Sequence, residues 1–227
     1  MTDNLLAEII QWDVRTWSKA LHYWDAQVDW NNIENALELG GRQGGLSLWI
    51  ALKGKKITCS DLSNISKTAA QLHSKHNCTS LITYQDIDAT NIPYENHFDL
   101  IVYKSILGGL GKSTNFEKQQ RAINEIYKSL KPGGKMLFAE NISASQLHHF
   151  LRKRFTDWAD YWQYFSLNDF KDFTKEFNSV HIRTNGFLAT FGRNEKQRKL
   201  LSNFDDYFFN RLCPDNWKYM AYGIAVK

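Results

Sequence analysis

The chain has 227 residues, of which 43% are hydrophobic, and its formal net charge is only +4. This length favours one domain with a substantial core, and so small a charge gives no argument for a nucleic-acid partner. The three cysteines show no C-x-x-C spacing, which argues against a zinc site or a disulfide framework. No apolar run approaches a membrane span and the first residues lack a signal pattern, so we expect a cytoplasmic protein.

The first predicted element is a helix. Apolar residues recur at helical spacing from Leu5 to Val28, with charged residues between them. Three of the eight tryptophans of the chain lie in this stretch, at Trp12, Trp17 and Trp24. We expect one long helix that either packs on the rest of the protein or covers a site.

The remainder of the chain alternates between strand-like and helix-like segments. Short apolar runs predict seven strands, which are NALEL, KKITCS, SLITYQ, FDLIVY, KMLFAE, VHIRTNGFLATF and YMAYGIAVK. Helical patterns are predicted at Gly45–Leu52, Asn64–His76, Phe116–Leu130, Ser166–Phe177 and Glu195–Phe209. Ser166 with Asp169 three residues later resembles the start of a helix. This alternation predicts an α/β fold with a doubly wound, parallel sheet covered on both faces.

The stretch ALELGGRQGG predicts a buried strand that runs into a glycine-rich turn, where α/β proteins bind nucleotides. Its glycines allow positive φ angles and a close approach of a ligand to the backbone; they are Gly40, Gly41, Gly44 and Gly45. A dinucleotide turn reads G-x-G-x-x-G, but here Arg42 replaces the middle glycine. In the alternative register, Glu38 lies at the strand end under the turn, where a carboxylate suits a cationic or amine-bearing ligand.

Two further acids follow neighbouring strands. Asp61 ends the second strand, where an acid can accept hydrogen bonds from both hydroxyls of a ribose. Asp88 follows the third strand, where a carboxylate can accept a hydrogen bond from the amino group of an adenine. Together with Glu38 these acids suit a nucleoside without phosphates. Each also has a structural alternative, because Glu38 could cap the neighbouring helix and the other two could be exposed turn residues.

Five segments in order resemble the class I S-adenosylmethionine-dependent methyltransferases. Glu38-Leu-Gly-Gly-Arg-Gln-Gly44 resembles the first motif of that family, ITCSDLS the second and DIDATNIPY the third. HFDLIVYKSIL resembles the fourth strand and SLKPGGKMLF the turn before the fifth. The segments run from Glu34 to about Glu140, roughly half of the chain, and the ordered set is more specific than any one segment.

The resemblance implies S-adenosylmethionine as the cofactor and S-adenosylhomocysteine as the product. It places Glu38 on the methionine amino group, Asp61 with Leu62 at the ribose, and Asp88 with Ala89 beside the adenine. It implies a Rossmann-like sheet of seven strands, mostly parallel with an antiparallel last strand. In one domain, residues 1–30 would form an N-terminal helical lid in which Trp17 shields the reaction, 33–142 the cofactor-binding half, and 143–227 the acceptor-binding part.

Two positions in the cofactor region, Arg42 and Lys104, keep alternatives open. Arg42 stands where the family usually has glycine, and it either points to solvent or pairs with the cofactor carboxylate, since arginine binds carboxylates in bidentate geometry. Tyr103 and Lys104 follow the fourth strand and should face the cofactor. Lys104 could instead be a solvated or capping lysine.

The residues that act on the methyl acceptor are less clear from the sequence. Glu140 follows the fifth strand and is a candidate base, and His148 and His149 lie on the next helix as further catalytic candidates. Surface or packing roles are the alternatives for both histidines. Residues 146–167 join a basic run to many aromatics, among them Trp158, and form either a covering helix or a basic, aromatic lid for an amphiphilic acceptor or a membrane surface.

We therefore predict a methyltransferase that acts on a small-molecule, sugar or lipid-linked acceptor, with neither a metal nor a nucleic-acid partner. One alternative is a non-catalytic binding protein of the same fold, in which Arg42 blocks the cofactor. Another is an NAD(P)-dependent oxidoreductase, which the missing middle glycine and Glu38 disfavour.

Overall fold

A computed structural model describes residues 1–155 and 161–227. Seven strands form one sheet in the order β3-β2-β1-β4-β5-β7-β6. They are β1 Asn35–Leu39, β2 Lys56–Asp61, β3 Ile82–Asp86, β4 Phe98–Lys104, β5 Leu130–Asn141, β6 Ser179–Asn185 and β7 Met220–Val226. The pairs from β3 to β5 are parallel, whereas β7 is antiparallel to both β5 and β6. The predicted Rossmann-like sheet with an antiparallel last strand is confirmed.

Helices cover both faces of this sheet. They are α1 Asp3–Ile10, α2 Val14–Gln27, α3 Gly45–Ala51, α4 Ile65–Lys75, α5 Glu117–Ser129, α6 Gln146–Phe155, α7 Leu167–Phe173 and α8 Glu195–Phe204. A π-helical turn, Asp205–Phe209, and a short α-helical turn, Asn210–Leu212, continue α8. Within the described residues, no helix is both long and apolar enough to span a membrane.

The core has two layers, one on each face of the sheet. In β4, Leu100 and Val102 belong to the layer beneath α1, α2 and α3, while Ile101 and Tyr103 belong to the layer beneath α5 and α7. Side chains alternate between the faces of a strand, so a strand that is apolar throughout is buried on both sides. This burial explains why the strands appear as continuous apolar runs in the sequence.

The prediction of one helix from Leu5 to Val28 is wrong. The chain breaks between α1 and α2, where Gln11 and Asp13 take positive φ angles of 69° and 47°. The Glu195 carboxylate accepts hydrogen bonds from the backbone amides of Asp13 and Val14, at 2.9 and 3.1 Å. Amides at a helix start have no partner within the helix, and here a residue 182 positions away supplies one.

The strand predicted over VHIRTNGFLATF is also too long, because β6 ends at Asn185. Gly186, with a φ of 81°, turns the chain. The carboxylate of Asp205 then accepts hydrogen bonds from three consecutive backbone amides, those of Phe187, Leu188 and Ala189. These amides are therefore not available to a neighbouring strand.

The N-terminal helices belong to the core. Trp17, Leu21 and Trp24 on α2 are buried, and the Trp24 indole donates to the carbonyl of Gly223 in β7 at 2.9 Å. Helix α1 crosses α3 at Gly45, where an added Cβ would lie 2.1 Å from the carbonyl oxygen of Ile9. A glycine is therefore required at that crossing.

A buried polar pair attaches α2 to the start of β7. The Tyr219 hydroxyl donates to the Asp13 carboxylate, and both residues are fully buried. Burial raises the pKa of Asp13 to about 7, although the hydrogen bond from Tyr219 acts in the opposite direction. Removing the hydroxyl would leave a buried carboxyl group with one partner fewer.

Tyr219→Phe is expected to lower the free energy of unfolding by about 1–3 kcal/mol, because it leaves Asp13 without this donor in a buried site. Urea denaturation measures the change. The matched control is Tyr222→Phe on β7, whose hydroxyl has no hydrogen-bond partner in the described part of the chain; a change within about 0.5 kcal/mol is expected. Equal effects of the two variants would contradict the role of the pair.

Candidate functional site

The carboxyl ends of the parallel strands meet at one edge of the sheet, which is where open α/β sheets bind ligands. There the structure places Glu38 at β1, Asp61 at β2, Lys104 at β4 and Glu140 at β5. The loop after β1 carries the glycine-rich turn, and the N-terminus of α2 reaches the same edge through Trp17.

The glycines of the turn are required by the protein itself. Gly40 and Gly44 have positive φ angles of 65° and 73°. An added Cβ on Gly40 would lie 2.2 Å from a methyl group of Ile106, and one on Gly44 would lie 2.5 Å from the ring of His73. Gly41 is buried against Glu38. Ile106 and His73 are thus contacts of the turn that sequence reasoning missed.

Glu38 caps helix α3. Its carboxylate is buried and accepts hydrogen bonds from the backbone amides of Leu46 and Ser47, at 3.1 and 2.9 Å, and from the Ser47 hydroxyl. Burial raises its pKa to about 7, while the hydrogen bonds from Ser47 and Leu46 act in the opposite direction. The structural alternative considered for Glu38 is therefore the arrangement observed, and its contact with a methionine amino group stays a prediction.

Asp61 is held at the tip of β2 by two backbone amides. It accepts from the amide of Arg42 at 2.8 Å and from that of Leu62 at 2.7 Å. A depression of about 370 Å³ opens beside it, lined by Arg42, Gln43, Asp61, Ser63 and Thr68. The acid predicted to bind a ribose thus lies at an open cavity next to the turn.

Asp88 lies in an exposed turn and binds its own neighbour. Its carboxylate accepts from the backbone amide and the hydroxyl of Thr90, both at 2.8 Å. Ala89 is half-buried against the α5 side of the core. Contacts of this pair with an adenine stay a prediction.

Arg42 holds the turn through its backbone. Its φ is 49° and its amide binds Asp61, while its side chain is exposed. Within the described ranges, the guanidinium forms neither a hydrogen bond nor an ion pair. Its charge nevertheless acts on Lys104, so two cations flank the space above the turn.

Lys104 has an unusual environment for a cation. It is half-buried, and its ammonium lies 5.1 Å from the centre of the Trp17 ring. Burial is the main reason that its pKa falls to about 8, and the charge of Arg42 lowers it further. No carboxylate of the described residues lies within ion-pair distance of it. A cation without an anion at this depth marks a place where a negatively charged group would bind.

Four buried polar atoms at this edge of the sheet have no hydrogen-bond partner among the described residues: Asp13 Oδ1, Trp17 Nε1, Tyr103 OH and Glu140 Oε2. Folded proteins leave few such groups, and each calls for a cause. Electrostatic interactions connect Lys104 to Asp13 and to Glu140, and Tyr103 to Glu140. Their concentration at one edge indicates a polar ligand. Asp13 was not among the predicted site residues. The signal for it in the sequence is that an acidic residue lies within the apolar helical pattern from Leu5 to Val28.

Glu140 orders the loop after β4. Its Oε1 accepts from the backbone amides of Ile106 and Leu107, both at 2.7 Å. Burial raises its pKa to about 8, and these two hydrogen bonds act in the opposite direction. The predicted base therefore holds the loop that carries Ile106 over the turn, and its role in proton transfer stays a prediction.

The two histidines of α6 differ. His148 is buried, and both ring nitrogens are engaged at 2.7 Å, one by the Ser145 hydroxyl and one by the carbonyl of Phe187. Burial lowers its pKa to about 4. The contacts of His148 match the alternative in which this histidine has a packing role. His149 is exposed on the same helix. Catalytic roles for either residue stay predictions.

The segment after β5 forms a covering helix over most of its described part. Arg152 donates to the carbonyls of Ile142 and Ser143 at 2.9 and 3.0 Å and lies 4.1 Å from the centre of the Tyr164 ring. Trp162 packs on the loop after β4, where an added Cβ on Gly108 would lie 2.0 Å from its indole nitrogen. Trp158, which belongs to the predicted aromatic lid, lies outside the described residues.

A family model for a methyltransferase domain matches residues 37–138, which carry the turn, Asp61 and Lys104. These residues, a little under half of the chain, therefore resemble a methyltransferase domain. A search of curated proteins finds no match to this chain.

Solved structures share the fold of this chain at low identity. The MccD protein is 15% identical with a TM-score of 0.64, over 92% of this chain and 96% of that chain. Phosphoethanolamine N-methyltransferase 2 of Haemonchus contortus is 18% identical with a TM-score of 0.65, over 93% of this chain but only 52% of that chain. A putative sarcosine dimethylglycine methyltransferase of Galdieria sulphuraria is 15% identical with a TM-score of 0.65, over 92% and 83%.

The residues at this edge fit S-adenosylmethionine, which carries a carboxylate, an amino group and a ribose diol. Lys104 can bind the carboxylate and Asp61 the ribose hydroxyls. The unpartnered Trp17 indole and Tyr103 hydroxyl provide further donors. The donor set therefore suits the cofactor, although Glu38 already binds α3.

Glu38→Ala is expected to lower the free energy of unfolding by about 2–4 kcal/mol without any ligand, because it unpairs buried amides of α3 and leaves a cavity. Urea denaturation at pH 6 checks the value. Asp88→Ala, in the exposed turn, is the control, with an expected change within about 1 kcal/mol. A Glu38→Ala protein as stable as the parent would show that the cap is not structurally important.

Proposed function

We propose that this protein transfers a methyl group from S-adenosylmethionine to a small-molecule, saccharide or lipid-linked acceptor. The observation that carries the proposal is the half-buried Lys104. It lies against Trp17 and has no anionic partner in the described part of the chain, at the strand edge where four buried polar atoms also have no described partner. Within a methyltransferase domain, that edge is the place for the cofactor.

Lys104 would bind the cofactor carboxylate, which returns a counter-charge to an ammonium in a half-buried site. Asp61 would accept the ribose hydroxyls with Leu62 beside it, and Asp88 with Ala89 would lie near the adenine. The bound cofactor supplies an electrophilic methyl group. Glu38 would support cofactor binding because it stabilises α3 and the glycine-rich turn, in addition to any contact with the cofactor amino group.

Trp17 would exclude water from the reacting groups. Its ring is buried, covers Lys104, and belongs to α2, which Asp13 ties to Tyr219. An in-line displacement depends on holding the acceptor close and aligned, and a rigid aromatic wall serves that purpose.

A proton acceptor is needed for hydroxyl acceptors. Glu140 has a free oxygen beside Tyr103, but its pKa of about 8 keeps it protonated at neutral pH, so it would accept a proton only in alkaline solution. His149 is exposed and His148 has no free nitrogen. An amine acceptor, which needs only to lose its own proton, suits this site at neutral pH.

The structural neighbours support a small acceptor. The Haemonchus contortus enzyme holds phosphomonomethylethanolamine and S-adenosylhomocysteine, and the Galdieria sulphuraria protein is a putative sarcosine dimethylglycine methyltransferase. The exposure of Arg42 argues against the alternative in which its guanidinium fills the cofactor site.

Calorimetry with S-adenosylmethionine, S-adenosylhomocysteine and NADH tests the class of cofactor. Binding of the first two and no binding of NADH is expected. Incubation with S-adenosylmethionine and pools of amine, sugar and lipid-linked acceptors should then give a product heavier by one methyl group in mass spectrometry. NADH binding, or binding without any methylated product across the pools, would contradict the proposal.

Lys104→Met is expected to weaken S-adenosylhomocysteine binding by roughly tenfold to a hundredfold, because it removes the cation that meets the carboxylate. The Lys104 ammonium is charged below its pKa of about 8, so the affinity of the parent should fall as pH rises through that value. This fall should be smaller in the variant, in which Glu140 still titrates near that pH. Calorimetry between pH 7 and about pH 9 covers this titration.

Two further variants separate the contribution of Lys104 to cofactor binding from those of Arg42 and of an unrelated surface lysine. Lys56→Met, exposed at the opposite end of β2, is the control and should bind like the parent. Arg42→Ala should weaken binding by less than about threefold if the Arg42 side chain faces solvent, as its exposure suggests. A large loss in Arg42→Ala with none in Lys104→Met would assign the carboxylate to Arg42 instead.

A further inference from the structure

The helical segment from α8 to residue 212 carries a line of exposed apolar side chains. Four of them follow one another at intervals of four residues and are 46–78% exposed; they are Leu200, Phe204, Phe208 and Leu212. Side chains at this spacing lie on one face of a helix. Tyr207, 69% exposed, lies beside Phe208. We name these five residues the α8 stripe.

The acids of this segment point toward the protein. Glu195 binds the amides at the start of α2, and Asp205 binds three amides after β6. Asp206 forms ion pairs with Arg15 and Lys19. All three carboxylates of residues 195–212 are therefore engaged with other parts of the fold.

The cations of the segment are on its outside. Lys196 and Arg211 are exposed, and neither has an acidic partner within the part of the chain that the structure describes. Lys199 pairs with Asp3 at a fully accessible position. The outer face of α8 thus combines large apolar side chains with unbalanced positive charge, the pattern of helices that lie in a membrane interface.

We propose that the α8 stripe binds the surface of a membrane that contains anionic lipids. The apolar side chains would enter the boundary between head groups and acyl chains, while Lys196 and Arg211 meet lipid phosphates. A second copy of this chain is a poorer occupant, because a two-fold contact would place the same cations against each other without an acid.

Membrane binding through the α8 stripe would also affect the candidate site, although the membrane proposal does not depend on methyl transfer. The start of α8 is joined to the start of α2 by Glu195, and Thr16 donates to Ser202 at 3.2 Å. Helix α2 carries Trp17, which covers Lys104. A protein resting on the α8 stripe would therefore present the cofactor edge close to the membrane surface.

Co-sedimentation with vesicles tests the proposal. The parent should bind vesicles of phosphatidylcholine mixed with phosphatidylglycerol more strongly than vesicles of phosphatidylcholine alone, and added salt should weaken the binding. The double substitution Phe204→Ser with Phe208→Ser should reduce the partition coefficient by about tenfold or more. Phe150→Ser is the control, because Phe150 is an exposed aromatic residue on the other basic helix, α6, and is more exposed than Phe204 and Phe208.

A second double variant tests the positive charges alone, so the conclusion does not depend on whether the Phe204 and Phe208 variant folds. Lys196→Glu with Arg211→Glu leaves every apolar side chain in place and should abolish the preference for anionic vesicles. Circular dichroism and thermal melting verify that the variants are folded.

The proposal is overturned if the folded parent does not bind anionic vesicles, or if both double variants bind like the parent. Loss of binding in Phe150→Ser alone would assign the membrane contact to α6. Sedimentation velocity without lipid gives the remaining outcome, since a dimer that the Phe204 and Phe208 substitutions dissociate would show that a second copy covers the stripe.

Discussion

Carboxylates at strand ends that bind backbone amides organise the edge on which the proposed chemistry depends. Glu38 at β1 binds two amides of α3, Asp61 at β2 binds two amides that include that of Arg42, and Glu140 at β5 binds two amides of the loop after β4. Asp86 at β3 does the same for the start of α4. Each bond fixes a loop relative to a strand, because it gives a partner to a backbone amide that would otherwise be unpaired. The turn and the loop that faces it are thus held before any ligand arrives.

The same arrangement explains why Lys104 is left without a counter-ion. Glu38 and Glu140 are committed to amides, and burial raises the pKa of each, to about 7 and about 8, so neither holds a full charge near neutral pH. Asp13 is bound by Tyr219 and is similarly affected, with a pKa of about 7. An ammonium among weakly charged acids is poorly compensated, and unpaired buried polar groups cost about 1–3 kcal/mol each. A bound carboxylate lowers that cost, which is a physical reason for affinity at this position.

The sequence was sufficient for features that depend on local pattern. The alternation of strands and helices predicted the sheet, and the Ser166–Asp169 pair predicted the capping box that begins α7. It was also sufficient to place acids at strand ends, because strand ends are visible as the limits of apolar runs.

The sequence could not show which partner each acid binds. Glu38 looked equally suited to a ligand and to a helix cap, and the choice depends on where α3 packs. The break between α1 and α2 depends on Glu195, far along the chain, and the end of β6 depends on Asp205.

The start of α2 is bonded to two distant parts of the fold, Tyr219 and Glu195. Moving α2 away from Lys104 would separate Asp13 from Tyr219, which leaves a buried carboxyl group and a buried hydroxyl without each other. It would also separate the amides of Asp13 and Val14 from the exposed carboxylate of Glu195. Because Glu195 lies at the start of α8, any such movement is transmitted to the helix that carries the α8 stripe. A surface that held α8 in place would therefore favour the state in which Trp17 covers the cofactor edge. Coupling of this kind requires only that the surface bind one arrangement of α2 and α8 better than another.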